Sequence, residues 1–327
     1  MRSRLWIGII ASVVVGTAAP TLAADMGIVT GGEKGTYYQF GLNLQRLVKP
    51  HGINLNVATS RGSVENVFAV YQRPNTQLGI VQSDVLAFVA RVETDPVLQR
   101  IAKKIRMVFP LYNEEVHILG RKDITDFDDL AGKRVAIGRE GSGTYLTARL
   151  MFKVAEIEPK QMVNIDTDEA LAELKAGRVD AMFYVAGAPV KLFAESVSDT
   201  DNLALLTVTN KSIAEFYPVV EIPANTYRWQ SKPLSTVAVK SVLVSFDFRR
   251  LDCDNVGRFA KILASSMGWL VDNGHPKWKS VKLDYPLKGW EQYDCVRKYV
   301  GTASVAPASP PPSANPVQDA IRKILRD

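Results

Sequence analysis

Gly27-Ile28-Val29-Thr30-Gly31-Gly32-Glu33-Lys34-Gly35-Thr36-Tyr37-Tyr38 runs from an apolar stretch through a glycine-rich turn into a helical pattern. Gly27 to Thr30 reads as a strand and residues 31–35 as a turn. Beyond the turn Tyr37, Phe40, Gly41, Leu44, Leu47 and Val48 recur at helical spacing, which buries one face of that segment. The unit then repeats. Residues 54–59 alternate as a second strand, Gly62 makes a turn, and a helix starts at Ser63; residues 78–81 form a third strand and Ser83 opens a third helix. Short strands alternating with amphipathic helices predict an α/β architecture.

Further along, residues 105–119 form one long extended stretch leading into a second unit. There Phe127-Asp128-Asp129-Leu130-Ala131-Gly132-Lys133-Arg134-Val135-Ala136-Ile137 reads as turn then strand, and residues 138–143 are another glycine-rich turn before a helix over 146–154. A helix over 168–176 and a strand over 181–185 follow. The expected organisation is therefore two α/β lobes with separate cores, a single large domain being the alternative. Lobe 1 is residues 24–113 plus 216–300 and lobe 2 is residues 114–215, with crossings near Asn113 and Phe216. Trp229, Trp269, Trp278 and Trp290 are expected in packing. Residues 301–316 are a Pro/Ala/Ser-rich linker. Residues 317–327 carry Val317, Ala320, Ile321, Ile324 and Leu325 at helical spacing. This tail reads either as a short amphipathic helix that touches a membrane or partner, or as a frayed end.

The first residues point to export. Arg2 and Arg4 precede an apolar run over 5–15, and Thr21-Leu22-Ala23 is a small-x-small cleavage pattern, so residues 1–23 read as a signal peptide. The run is shorter than the roughly 20 residues a spanning helix needs. No cysteine follows it, which argues against a lipid anchor. With 40 basic and 34 acidic residues, removal of Arg2 and Arg4 leaves 38 against 34, and no basic cluster interleaved with aromatics appears. Nucleic acid is not an expected partner. The two cysteines, Cys253 and Cys295, are expected to pair in an oxidising compartment, two buried thiols being the alternative. His51, His117 and His275 are scattered, so neither a metal nor a cofactor is expected.

Four loops share one character: each follows a strand, starts a helix, and is rich in glycine, hydroxyls and amides. They contain Gly35, Thr36 and Tyr38; Thr59, Arg61, Gly62, Ser63 and Asn66; Gln82 and Asp84; and Arg139, Ser142, Gly143 and Thr144. At that edge of an α/β sheet the helix N-termini present unpaired N–H groups and the positive end of the dipole, which suits an anion. Singly, each residue also reads as an ordinary cap. Tyr37 fits the buried stripe, which leaves Tyr38 as the expected cleft residue. Enzyme signatures fail: Gly27 and Gly32 have P-loop spacing, but Glu33 stands where the lysine belongs. There is no G-x-S-x-G elbow, and Ser142 has no histidine at a recognisable spacing.

The order of these loops resembles the TAXI family of TRAP transporter solute receptors, within the class II periplasmic binding proteins. The resemblance rests on Gly31 to Tyr38, Gly62-Ser63-Val64-Glu65-Asn66, Leu78 to Asp84, Gly141-Ser142-Gly143-Thr144, Val179-Asp180-Ala181-Met182-Phe183 and Gly187-Ala188-Pro189. Arg61 and the Pro-rich extension are atypical. The resemblance implies two lobes joined by two crossing strands, Gly187 at the cleft, a small carboxylate ligand such as glutamate or 2-oxoglutarate, and TRAP permease subunits as membrane partners. A receptor serving a sensor kinase or a scavenging role, and an exported hydrolase, are the other readings.

Overall fold

The computed structural model describes residues 23–91, 100–248, 251–287 and 289–301. The expected signal peptide apart from Ala23, the expected linker beyond Gly301 and the expected C-terminal tail lie outside these residues.

Strand β1 (Ala24–Val29), helix α1 (Thr36–Val48), β2 (Ile53–Ala58), α2 (Ser63–Gln72), β3 (Leu78–Gln82) and α3 (Ser83–Arg91) follow the expected strand-turn-helix order. The long extended stretch is β4 (Ile105–Arg121). The second unit holds β5 (Arg134–Ala136), α4 (Gly143–Ala155), β6 (Gln161–Val163), α5 (Thr167–Lys175), β7 (Ala181–Ala186), α6 (Lys191–Ser196), β8 (Leu203–Leu205) and α7 (Lys211–Phe216). The chain continues through β9 (Val219–Ile222), β10 (Leu234–Phe246), α8 (Leu251–Ser265), α9 (Met267–Asn273) and α10 (Asp294–Val300). Among the described residues no helix is long and apolar enough to cross a membrane.

The strands hydrogen-bond in the order β2-β1-β3-β10-β4-β7-β5-β6, with β8 against β4 and β9 against β10. Parallel pairing of β1 with β2 and β3, and of β5 with β6 and β7, builds the two lobes. β4 and β10 are common to both. The second half of β10, residues 241–245, pairs with β3, whereas residues 234–237 pair with β9. β4 pairs with β7 through residues 115–120. The two long strands pair antiparallel with Lys240 opposite Asn113, and the register slips between Lys240 and Val242. Such an irregularity bends strands, here where one lobe gives way to the other.

β4 and β10 pass from one lobe's neighbours to the other's beside the Asn113–Lys240 pair, so the return path lies on β10 and not near Phe216. Residues after 216 remain with lobe 2 because their apolar side chains fill its core: Ile222, Tyr227 and Leu234 pack with Phe193 and Leu205, and Val237 and Val239 with Phe183. In each lobe the sheet carries a core on both faces. In lobe 1, Phe40, Phe109, Phe259 and Trp278 lie on one side and Val67, Val81 and Val244 on the other. Trp278 is fully buried, stacked on Phe40 with ring centroids 4.1 Å apart, and its indole N–H donates to Asn43 Oδ1 at 2.9 Å. His117 is buried in lobe 2 between Tyr227 Oη and the Glu115 carbonyl, and burial lowers its pKa to about 4.

Cys253 and Cys295 are bonded, with Cα atoms 5.4 Å apart, and tie α8 to α10. The bridge spans 42 residues, for which chain entropy gives about 4 kcal/mol of stabilisation. Urea unfolding of Cys253→Ser/Cys295→Ser is expected to show a loss of about 2–4 kcal/mol relative to the oxidised protein. Equal midpoints for the two would show that packing of α8 on α10 suffices without the bridge.

Candidate functional site

The carboxyl ends of β1, β2, β5 and β6 face one another across the gap between the lobes. They deliver the N-termini of α1, α2, α4 and α5 to a single cavity of about 280 Å³, at the small end of the range for organic ligands. Gly35, Gly62 and Asp166 occupy three of the N-cap positions without a side-chain cap, and Ser142, at the fourth, accepts from the Tyr145 N–H at 3.1 Å. Gly62 has φ 121°, a backbone that L side chains rarely adopt. Four helix dipoles therefore point their positive ends at one volume, an arrangement that favours negative charge.

Of the residues expected at the site, Gly35, Thr36, Arg61, Gly62, Ser63, Gln82, Arg139, Ser142, Gly143 and Thr144 line this cavity. Five others do not. Tyr38 and Thr59 lie off it, and Tyr37 takes the place expected of Tyr38. The Tyr37 ring belongs to the lobe 1 core while its hydroxyl reaches the cavity, so one side chain satisfies both the helical stripe and the site. Asn66 is buried and donates to the Thr30 carbonyl at 2.5 Å and the Ile80 carbonyl at 2.7 Å, holding two loops together beneath the site. Asp84 accepts from Thr147 Oγ1 at 2.7 Å at the contact between lobes, and burial raises its pKa to about 6. The Gly187 carbonyl accepts from Thr36 Oγ1 at 2.7 Å, next to the cis Ala188–Pro189 bond.

Several lining residues have no local motif. Glu114, Asp166, Thr167, Asp168 and Tyr184 all border the cavity. Asp166 precedes α5 as Ser142 precedes α4, a fifth strand-to-helix turn of the same kind. For Glu114 the available signal is a charged pair, Glu114-Glu115, inside an otherwise apolar extended run. Such a pair is costly to bury and therefore marks a site. Glu115 binds Lys277 and accepts from the Ala188 N–H at 2.9 Å. Glu114 accepts from Tyr37 Oη at 2.6 Å and from Gln82 Nε2 at 3.4 Å, and burial raises its pKa to about 8. Desolvation of the charged form is the dominant cause, and the hydrogen bonds from Tyr37 and Gln82 act against it.

The cations of the cavity are matched by acids. Lys34 lies 2.6 Å from Asp168 across the cleft, Arg139 pairs with Asp166, and Arg61 stands 3.9 Å from Glu65. The first of these pairs bridges the lobes, as do the Thr36–Gly187 and Asp84–Thr147 bonds and the Glu65 N–H to Gly141 carbonyl bond of 3.3 Å. Uncommitted donors remain. Ser142 and Thr144 use their oxygens to accept backbone N–H groups, which leaves their hydroxyl protons free to donate to another group. Gln82 Oε1 is buried and has no hydrogen-bond partner.

Residues 28–289 match the model of the NMT1-like family. Among solved structures, MatC from Rhodopseudomonas palustris with bound malate is similar at a TM-score of 0.54 and 14% identity, over 93% of this chain and 98% of that one. A protein from Bordetella bronchiseptica RB50 is similar at 0.52 and 13%, over 93% and 97%. At such identities the likeness speaks to the fold, which is that of the class II-like periplasmic binding proteins.

Gly143 is a point of close approach between the lobes. A Cβ there would overlap Gln82 Oε1 and stand 2.9 Å from Ser63 Oγ, both in lobe 1, while touching nothing so closely in its own lobe. Gly143→Ala is expected to leave the melting temperature near that of the parent but to hold the lobes apart. Small-angle scattering should report a larger radius of gyration, and wild-type compaction in the variant would refute the assignment of this contact.

Proposed function

The chain belongs to the NMT1-like family, and on that premise we propose that it is an extracytoplasmic solute receptor. It captures a small organic anion by closure of its two lobes and delivers the ligand to the permease subunits of a TRAP-type secondary transporter of the TAXI kind. The observation that carries this reading is the convergence of four helix N-termini on one 280 Å³ cavity between two lobes joined by two strands. A ligand that touches both lobes binds the closed state better and so shifts the population toward it.

A carboxylate such as glutamate or 2-oxoglutarate fits the volume and the donors. The cavity is lined by three cations, Lys34, Arg61 and Arg139, and three acids, Glu114, Asp166 and Asp168. With Glu114 neutralised by burial the sum is one positive charge, and the dipoles add to it. Delivery outside the cytoplasm follows from the signal peptide read in residues 1–23, and no catalytic role is assigned to any residue. A sensor kinase or a scavenging role would use the same cavity without a permease. Uptake by proteoliposomes containing the permease, driven by an ion gradient and dependent on this receptor, separates the two.

Mass spectrometry of small molecules released from the denatured, freshly purified protein is expected to find an organic acid at close to one per chain. Release of a neutral or cationic metabolite instead would overturn the anion reading. Ser142→Gly deletes a hydroxyl donor while retaining a good N-cap. It should weaken that acid by about tenfold to a hundredfold, corresponding to about 1–3 kcal/mol, with little change in melting temperature.

A further inference from the structure

Glu114 lines the cavity between the lobes, and among the described residues no cation pairs with it. Its side chain is buried, and the groups that face it are Tyr37 from α1, Gln82 from β3, Asp84 from α3, Tyr184 from β7, Ser241 from β10 and Tyr112 on its own strand. None of these is positive. Lys34, Arg61 and Arg139 face Asp168, Glu65 and Asp166, while Lys277 faces Glu115. Lys240, opposite on β10, senses Glu115, Lys277 and Lys282. Next to Glu114 the buried Gln82 Oε1 is without a partner.

A buried carboxyl beside an anion site is stable only if a proton neutralises it or the ligand brings a cation. The N-termini of α1, α2, α4 and α5 already select a negatively charged ligand. Tyr37 donates to Glu114 Oε1 at 2.6 Å, whereas Oε2 has no donor nearer than Gln82 Nε2 at 3.4 Å, which leaves Oε2 as the oxygen to carry a proton. We infer that Glu114 binds ligand as the neutral acid, donating its proton to an acceptor oxygen of the anion, so that capture is linked to protonation of this side chain. The inference rests on the carboxylate reading and narrows it: the ligand's inner end presents an oxo, carbonyl or second carboxylate oxygen, and not an ammonium group. Among the carboxylates named above, 2-oxoglutarate meets this requirement and glutamate, if its amino group faces inward, does not.

The expected pH dependence has a definite sign. Burial raises the pKa of Glu114 to about 8, so an anion should bind with level affinity below about pH 8 and lose up to about tenfold per pH unit above it. Tyr37, Tyr112 and Tyr184 are pushed further up by burial and stay neutral in that window. Lys240, lowered to about 8, loses its charge in the same range, so a Glu114 variant must separate the two.

Two measurements on the full mature protein test this. The infrared carbonyl band of a neutral carboxylic acid, present in wild type at pH 7, missing in Glu114→Gln and lost on titration near pH 8, is the expected result; its absence from wild type at pH 7 overturns the inference. Calorimetric titration with 2-oxoglutarate between pH 7 and 9.5 should show the falling affinity in wild type and a level one in Glu114→Gln, whose amide donates at every pH. An equal slope in both proteins, or an affinity that rises with pH, would likewise overturn it. If 2-oxoglutarate fails to bind at any pH, this carboxylate is not the ligand, and the infrared band still decides whether Glu114 is neutral.

Discussion

The antiparallel pairing of β4 with β10 is the constraint on which the rest of the molecule depends. β10 is hydrogen-bonded to β3 in lobe 1 and to β9 in lobe 2, while β4, itself paired with β10, bonds to β7 and β8 in lobe 2. Because the two lobes share these strands in one continuous sheet, the carboxyl ends of the parallel strands in one lobe are set against those in the other. Each parallel strand hands its chain to a helix at that end, so the helix N-termini converge. A single continuous pair of strands thus sets both the connection between the lobes and the electrostatic character of the cavity beside it.

The two lobes have separate cores. The apolar clusters on the two faces of the sheet in each lobe are assembled from that lobe's own helices, and the contacts between lobes are few and mostly polar. A small apolar contact of Ala87 with Leu150, flanked by Phe88 and Leu146, is the exception. The polar bridges differ in weight. Lys34 and Asp168 are each about half exposed, where solvent and salt screen the attraction and the pair contributes little. Asp84 is buried, and its bond from Thr147, a hydrogen bond to a carboxylate, falls in a class worth about 1.5–3 kcal/mol. Among the contacts between the lobes, the buried bond therefore outweighs the ion pair at the rim.

Within the site, glycine and burial act together. At Gly62 the chain takes a left-handed backbone, and at Gly143 the absence of a side chain lets the second lobe approach Gln82 and Ser63. Close approach removes water, which strengthens the dipoles of the four helices and raises the cost of an ionised Glu114. The same enclosure thus favours a charge on the ligand and disfavours one on the protein at that position.

Much of this organisation is legible in the chain itself. The strand-turn-helix order, the loops at Gly35, Gly62 and Ser142, and the long extended run of residues 105–119 follow from hydrophobic period and turn chemistry, which are local. The tertiary structure alone decided the second crossing, because residues 219–239 look like any strand-bearing segment until their apolar side chains are seen to fill the lobe 2 core. It alone separated Tyr37 from Tyr38, since helical spacing says which face is buried but not that a buried ring can carry its hydroxyl into a cavity. It also separated Asn66 and Asp84, spent on loops and lobe contacts, from Ser63 and Gln82 at the site. Glu114 is the clearest case. Its role depends on side chains from α1, β3 and β7, brought together by a strand pair that joins residues more than a hundred positions apart, and no pattern within its own strand encodes those neighbours.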